Sequence, residues 1–398
     1  MEPKRKSIAL PIYLLTAALF LNITLASRPL DPGALIIGLS MIILIAYVHF
    51  LVRRFFSYGD PYLVSLVSIL PVVGIALIYR INSALAFRQV IWFILGIFVF
   101  SVVVILLPDL QRFAKLRYLY LVLTLAFVSM AMLIGTEVYG AKNWVFIGGF
   151  SFQPSEFGKI FYVLYLASAL RTYKDLKSLL EPAAVVAVCL GFMVLQKDLG
   201  SALIFTFVAL AMLFVATHKL KYILASFGVG SLGAVVSYKL FRHVRIRVLM
   251  WRNPFSDRNG DGYQIVQGLY AIASGGLFGR GLFQGSPQSI PVRESDYIFA
   301  VMAEELGLLF CLGILLVYLL IFYRSIRVSL NVESLFSSLL TVGFSIMIAM
   351  QVLVIVGGVM NAIPLTGITL PLISYGGTSM LTVFFALGII QKTSEEVQ

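Results

Sequence analysis

Acidic residues are scarce in this chain: 18 Asp and Glu stand against 30 Lys and Arg among 398 residues. Charged residues of both signs reach only 12%, where an ordinary soluble domain carries about 25%. That shortage excludes a typical soluble surface. Only two cysteines occur, Cys189 and Cys311, each inside an apolar run, which excludes a disulfide framework and a thiolate metal site. Three scattered histidines, His49, His218 and His243, give no zinc spacing. What fills the chain instead is apolar: 60% hydrophobic residues and a mean hydropathy of +0.98. The composition indicates a polytopic membrane protein. The net charge of +12 is then expected on cytoplasmic loops rather than against nucleic acid.

A membrane helix needs about 20 apolar residues. Candidates lie at 8–26, 33–51, 62–80, 88–108, 117–135, 157–170, 180–196, 199–216, 222–241, 297–323, 335–358 and 366–390. The sequence thus predicts an all-α fold of about twelve transmembrane helices. The first apolar run is too long for a signal-peptide core and reads as a retained span. The 157–170 segment is short, and 180–216 is either two spans or a broken pair. Basic residues test the count. Lys4–Arg5–Lys6, Arg53–Arg54, Arg112/Lys115/Arg117, Arg171/Lys174/Lys177, Lys219/Lys221, Arg324/Arg327 and Lys392 all fall on one side when the N-terminus is inside. Both termini are then cytoplasmic. Two longer segments, 136–156 and 242–296, face outward, the second as a long loop between the ninth and tenth spans.

Ionisable side chains within spans are costly and mark cavities or partners. In QPSEFGK, Pro154 suits a first helical turn, with Gln153 and Ser155 beside it. Glu156 would face the positive end of the helix dipole, and Lys159 follows on the same face. The pair is either a local ion pair or the wall of an outward cavity. In QKDLG, Lys197 and Asp198 stand between two apolar runs, either as a wet turn or as cavity residues. In RESDYIFAVMAEELG four acids crowd into residues 293–307. Asp296 and Glu304 lie about 12 Å apart along a helix and about 80° around it, so they can line one wall at two depths. Glu305 points nearly opposite Asp296 and is expected to pair with another helix. NAIPLTGITLPLISYGGTS, with Ser374, Gly376 and Gly377, interrupts an apolar segment. Broken backbone at membrane depth is tolerated where protein or water covers it, so it reads as a cavity lining or a kinked span. The SDRNGDG stretch has half an EF-hand pattern without its terminal Glu. The Gly-rich 273–287 segment lacks a P-loop ending and reads as a flexible outer segment near a mouth.

Residues alone therefore describe an outward polar cavity in a hydrophobic bundle, with Glu156, Lys159, Asp198 and Asp296. It suits an amphiphile with an anionic head and a lipid tail, with Lys142, Lys159 and Lys197 available to phosphates. Whether that molecule is moved or reacted stays open at this level.

Five blocks occur in order: NWVFIGGFSFQPSEFGKI, QKDLGSALIF, NGDGYQIVQGLYAIASGGLFGRGL, RESDYIFAVMAEELG and PLTGITLPLISYGGTSM. Together they resemble the signature blocks of the SEDS family, the RodA/FtsW proteins, over roughly residues 60–392. The resemblance implies a ten-span core at 60–398, with residues 1–59 as a two-helix addition. It implies a bacterial peptidoglycan glycosyltransferase in the cytoplasmic membrane. Such an enzyme polymerises lipid II at the outer face and works with a class B penicillin-binding protein, a transpeptidase. Asp296 matches the outer-loop acid thought essential there, although Glu294 replaces a frequent His. Glu156 and Lys159 match Q-P-S-E-x-x-K. Asp198 matches Q-P-D-L-G-T with Lys197 for Pro and Ser201 for Thr. Trp144 matches an R-W pair with Asn143 for Arg. Inversion from an α-linked pyrophosphate to a β-1,4 glycan calls for a base, Asp296, and a stabilised leaving group. Lys159, Lys197 or a divalent cation (Mg2+ or Mn2+, with Asp296 and Asp198 as candidate ligands) would serve the second need. No organic cofactor and no nucleic-acid partner is expected. A lipid-linked precursor flippase and a non-catalytic scaffold for the transpeptidase are the competing readings.

Overall fold

The computed structural model describes residues 9–27, 29–55, 59–107, 109–138, 140–148 and 150–397; the basic start Lys4–Arg5–Lys6 lies outside them. In chain order the helices are α1 Ala9–Ala26, α2 Pro32–Phe55, α3 Pro61–Ile81, α4 Ser83–Leu106, α5 Leu110–Phe113 and α6 Arg117–Ile134. After a small sheet come α7 Pro154–Leu170, α8 Leu180–Leu195, α9 Leu199–Thr217, α10 Leu220–Leu240, α11 Arg242–Arg252 and α12 Tyr263–Gly275. The last three are α13 Ile298–Asn331, α14 Leu335–Val359 and α15 Gly377–Thr393.

Among the described residues, ten helices are long and apolar enough to cross a membrane: α1–α4, α6, α8 with the turn before it, α9, α10, α13 and α14. Two further apolar helices, α7 and α15, have 17 residues each. Both are mostly buried, as helices apolar all round should be. The 180–216 stretch is two helices, joined at Gln196–Asp198 by a sharp turn in which Lys197 has a φ of 63°. Asp60 caps α3 by accepting from Tyr62 N and Leu63 N, and Asn82 caps α4 in the same way. Each replaces a backbone partner that a helix start lacks.

Three expectations are corrected. The fold is not all-α: β1 Thr136–Val138, β2 Ala141–Ile147 and β3 Phe150–Phe152 form an antiparallel sheet in that order. Positive-φ glycines, Gly140 and Gly148, turn the chain between short alternating strands. The 242–296 segment is not an open loop. Most of it is held in α11, α12 and short turns, and α12 packs closely on α13. The 366–390 span is helical only from Gly377; before that, Pro364, Gly367 and Pro371 keep the backbone irregular.

The Gly-rich segment is likewise docked rather than loose. Helix α13 breaks at Gly307, with φ 85° and ψ 165°. Leu308 N and Leu309 N then turn to Gly276 O and Leu277 O, at 3.0 and 3.1 Å. On the other side of the break, Arg280 N and Gly281 N reach Glu304 O and Glu305 O, both at 2.9 Å. Backbone groups freed by the kink are paired by this stitching, as buried backbone must be.

Candidate active site

Asp296 sits in a tight turn just before α13. Val292 takes a φ of 52°, rare for a β-branched residue, and its carbonyl accepts from Ser295 N and Tyr297 N at 3.2 and 3.3 Å. The broken segment holds this turn from the other side. Tyr375 N donates to Glu294 O at 2.8 Å, and the Ser374 hydroxyl donates to Ser295 O at 2.5 Å. Ser374 is itself fixed, because Leu370 N donates to its Oγ at 2.8 Å and Gln89 of α4 donates to its carbonyl at 3.1 Å. Gly376 N donates to Gln89 Oε1 at 3.3 Å, and Gly377 passes so close to the Trp92 ring that a Cβ there would clash with it. The broken segment and α4 therefore clamp the turn that carries one carboxylate.

Asp296 keeps some accessible surface but is densely surrounded by protein. Burial pushes its acid up to about 6, and Glu294 adds to the rise. Ser295 and the Arg247 cation pull the other way without cancelling it. Arg247, on α11, faces both Asp296 and Asp198, whose charges oppose the lowering that burial imposes on it. Its Nη1 donates to Leu365 O and Thr366 O, at 3.3 and 3.1 Å, and so ties α11 to the broken segment. Trp251 and Asn361 reinforce that contact with reciprocal bonds of 3.1 Å. One turn before Arg247 is His243, whose pKa is lowered by burial and then by Arg247 and Lys197. Its buried Nε2 has no hydrogen-bond partner among the described residues.

Asp198 is buried and accepts four hydrogen bonds. Oδ1 accepts from Ser201 N at 3.0 Å; Oδ2 accepts from Ser201 Oγ at 2.8 Å, Gln153 Nε2 at 3.2 Å and Ser155 Oγ at 3.5 Å. It caps α9 and binds α7 to it. The wet-turn reading is thereby corrected for Asp198. Lys197 turns the other way, pairing with Glu137 of β1 at 2.9 Å on an exposed face. The sheet joins this corner through Lys142 N to Gln196 O, at 3.0 Å. Trp144, in β2, lies half-buried opposite Thr136.

Glu156 and Lys159 form a buried ion pair of 2.8 Å. Lys159 also donates to Gln351 Oε1 at 3.2 Å, and Thr382 donates to Glu156 Oε2 at 3.0 Å. Gln351 continues to Thr369 O at 3.0 Å and Ser379 Oγ at 3.2 Å. The network joins α7, α14, α15 and the broken segment. Glu304 accepts from Ser286 N at 3.0 Å and lies 3.6 Å from Arg280. Glu305 pairs with Arg80 of α3 at 3.2 Å, the interhelical contact expected of it.

A cation held jointly by Asp198 and Asp296 does not fit this arrangement. Asp198 already accepts one hydrogen bond at Oδ1 and three at Oδ2, the Arg247 charge acts on both acids, and the described residues contain no group of three or more metal-ligating side chains. Arg247 is the residue sequence reasoning missed. Its signal was an arginine on the apolar face of RHVRIRVLMWR, in line with buried Val244 and half-buried Trp251.

A family model described as cell cycle protein, FtsW/RodA/SpoVE, matches residues 61–398. The chain is 34% identical to the peptidoglycan glycosyltransferase RodA of Mycobacterium tuberculosis, over 90% of this chain and 82% of that one. It is 32% identical to stage V sporulation protein E of Bacillus subtilis, over 84% and 96%. A chain of a peptidoglycan synthase complex, described as coordinating polymerization and crosslinking, matches with a TM-score of 0.73 and 28% identity over 84% and 97%. The rod shape determining protein RodA of Thermus thermophilus matches with a TM-score of 0.65 and 27% identity over 85% and 97%.

Proposed function

This chain belongs to the FtsW/RodA/SpoVE family of cell cycle proteins, and from that premise we propose a peptidoglycan glycosyltransferase that polymerises lipid II with Asp296 as its base. The observation that carries the assignment of the base is the clamped carboxylate just before α13, its pKa pushed up by burial to about 6. A general base works best when its pKa lies near the working pH.

In the proposed step the Asp296 carboxylate takes the proton of the acceptor's sugar 4-hydroxyl. The freed oxygen attacks the anomeric carbon of the second lipid-linked sugar from the face opposite its α-pyrophosphate. The carbon–oxygen bond to the pyrophosphate breaks, its electron pair leaves with undecaprenyl pyrophosphate, and the new linkage is β-1,4. General-base help of this kind is worth about 10²–10⁴-fold. Arg247 is the better-placed cation for the departing charge. Lys159 is consumed by Glu156 and Gln351, and Lys197 is held by Glu137. Among the described residues, Nε and Nη2 of Arg247 carry no hydrogen bond, and guanidinium donors suit phosphate oxygens.

Around this site we read a multi-pass protein of the bacterial cytoplasmic membrane, with α7 and α15 completing twelve spans and both termini cytoplasmic. Residues 1–59 are an addition to a core at 60–398. The similar chain from a peptidoglycan synthase complex supports a class B penicillin-binding protein as partner.

The test is polymerisation of labelled lipid II by the purified protein. It is run with and without its cognate class B penicillin-binding protein, and with Mg2+ or Mn2+ added. Long, moenomycin-insensitive glycan from the wild type, absent from a folded Asp296→Asn variant, is the expected result. No polymer from a folded complex under any condition would favour the flippase or scaffold reading.

A further inference from the structure

The first two helices stand outside the family match, which begins at residue 61, yet they are bonded to the core at both ends of α3. Near its start the His49 ring of α2 meets the Ser65 hydroxyl, Nε2 to Oγ 3.1 Å. In its last turn the Tyr79 hydroxyl donates to Asp31 Oδ2 at 2.7 Å. At 1.5 Å per residue these contacts are about 21 Å apart along the helix. The Asp31 carboxylate is itself anchored, since Oδ1 accepts from Gly33 N at 2.9 Å. A Cβ at Gly33 would stand 2.6 Å from the Tyr79 hydroxyl, so a larger residue there would push that hydroxyl aside.

The residue after Tyr79 is Arg80. It is the cation of the Glu305 pair, 3.2 Å between Nη2 and Oε1, with side chains 10% and 0% exposed. Its guanidinium also lies 4.3 Å over the Phe283 ring. Phe283 has a φ of 68° and belongs to the segment stitched across the Gly307 break. The contacts therefore run from the helix pair through α3 to Glu305 of α13, nine residues beyond Asp296.

We propose that the N-terminal helix pair is a brace for the catalytic face. Asp31 fixes Tyr79 and so sets the last turn of α3, from which Arg80 holds Glu305 and the Phe283 segment against α13. Asp31 and Tyr79 are positioning residues in this scheme. Its consequence for turnover rests on the glycosyltransferase reading; its consequence for order around α13 does not.

The experiment compares wild type, Tyr79→Phe, Asp31→Ala and Asp31→Asn in lipid nanodiscs by amide hydrogen exchange and by polymerisation of labelled lipid II. Faster exchange over residues 277–309 is expected in Tyr79→Phe and Asp31→Ala. Asp31→Asn keeps one acceptor oxygen for Gly33 N and its amide NH2 can donate to the Tyr79 hydroxyl, so the contact survives and wild-type protection is expected. Turnover should fall about three- to tenfold in the first two, the usual weight of one hydrogen bond, with KM for lipid II unchanged. Unaltered exchange over 277–309 in Asp31→Ala would overturn the brace, as would equal effects of Asp31→Ala and Asp31→Asn. Should Tyr79→Phe fail to fold, the two Asp31 variants decide the matter. If the wild type makes no polymer, the glycosyltransferase reading fails while the exchange data still judge the brace.

Discussion

Removing the Lys159 ammonium tests whether the Glu156–Lys159 pair belongs to the scaffold or to substrate. In Lys159→Met the carboxylate of Glu156 loses its 2.8 Å partner and keeps only the Thr382 hydroxyl at 3.0 Å. Gln351 Oε1 loses its donor as well. Breaking one side of a buried ion pair costs about 3–5 kcal/mol, because the other charge stays buried. At roughly 2–4 °C per kcal/mol, the unfolding midpoint should drop by about 10 °C. Glu156→Gln should cost a similar amount. The double variant leaves no uncompensated charge, so it should be more stable than either single change, with a coupling of about 2 kcal/mol or more. The two buried, free cysteines, Cys189 and Cys311, supply the readout: a thiol-reactive dye labels them as the detergent-solubilised protein unfolds on heating. Additive losses in the double variant, or single variants with wild-type midpoints, would refute the scaffold role and return Lys159 to the list of substrate-facing cations.

Three further outcomes are expected. Because Asp296 accepts a proton only when ionised, kcat/KM should fall about tenfold per unit below a pH of about 6 and level off above it; a flat profile from pH 5 to 7, with chemistry limiting, would remove Asp296 as the base. Arg247 holds the Asp296 acid down, so in Arg247→Gln the acidic limb should move upward, by about half to one unit for a charge contact of about 1 kcal/mol, as pH–rate profiles would reveal. In Gly307→Ala the new Cβ would stand 2.3 Å from Gly279 N at a φ of 85°; the backbone strain alone costs about 1–3 kcal/mol, and the same dye assay should record a lower midpoint.

Most of the helical layout was legible, because apolar runs of membrane length leave the backbone few alternatives to a helix. The alternating basic residues were a second, independent reading of the same spans. The sheet was not legible: its strands are three to seven residues long and gain their place from a turn partner, Gln196, far along the chain. Local spacing correctly put Glu156 and Lys159 on one helix face. It said nothing of Gln351, which lies 192 positions away and closes the network. Lys197 and Asp198 part for a backbone reason: the left-handed turn at Lys197 sends it to exposed Glu137, while its neighbour Asp198 is buried. Arg247 was missed because seven arginines within residues 242–296 look alike until the fold turns one of them inward.

The crowding of acids at 293–307 resolves into different tasks once each carboxylate is set in its surroundings. Glu305 holds Arg80 across to α3. Glu304 faces Arg280 and caps Ser286 N, which secures the segment over the α13 break. Glu294 is gripped through its carbonyl by Tyr375 N and lends its negative charge to its neighbour. Asp296 has no cation within ion-pair distance among the described residues. An ion pair would hold a carboxylate in its ionised form and below its ordinary range. Burial without one does the reverse, and the resulting value of about 6 makes the proton gained from a sugar hydroxyl easier to keep through the transition state. Glu304 and Glu305 therefore use their charges to hold neighbouring segments against α13, while the charge of Asp296 stays available to an incoming proton.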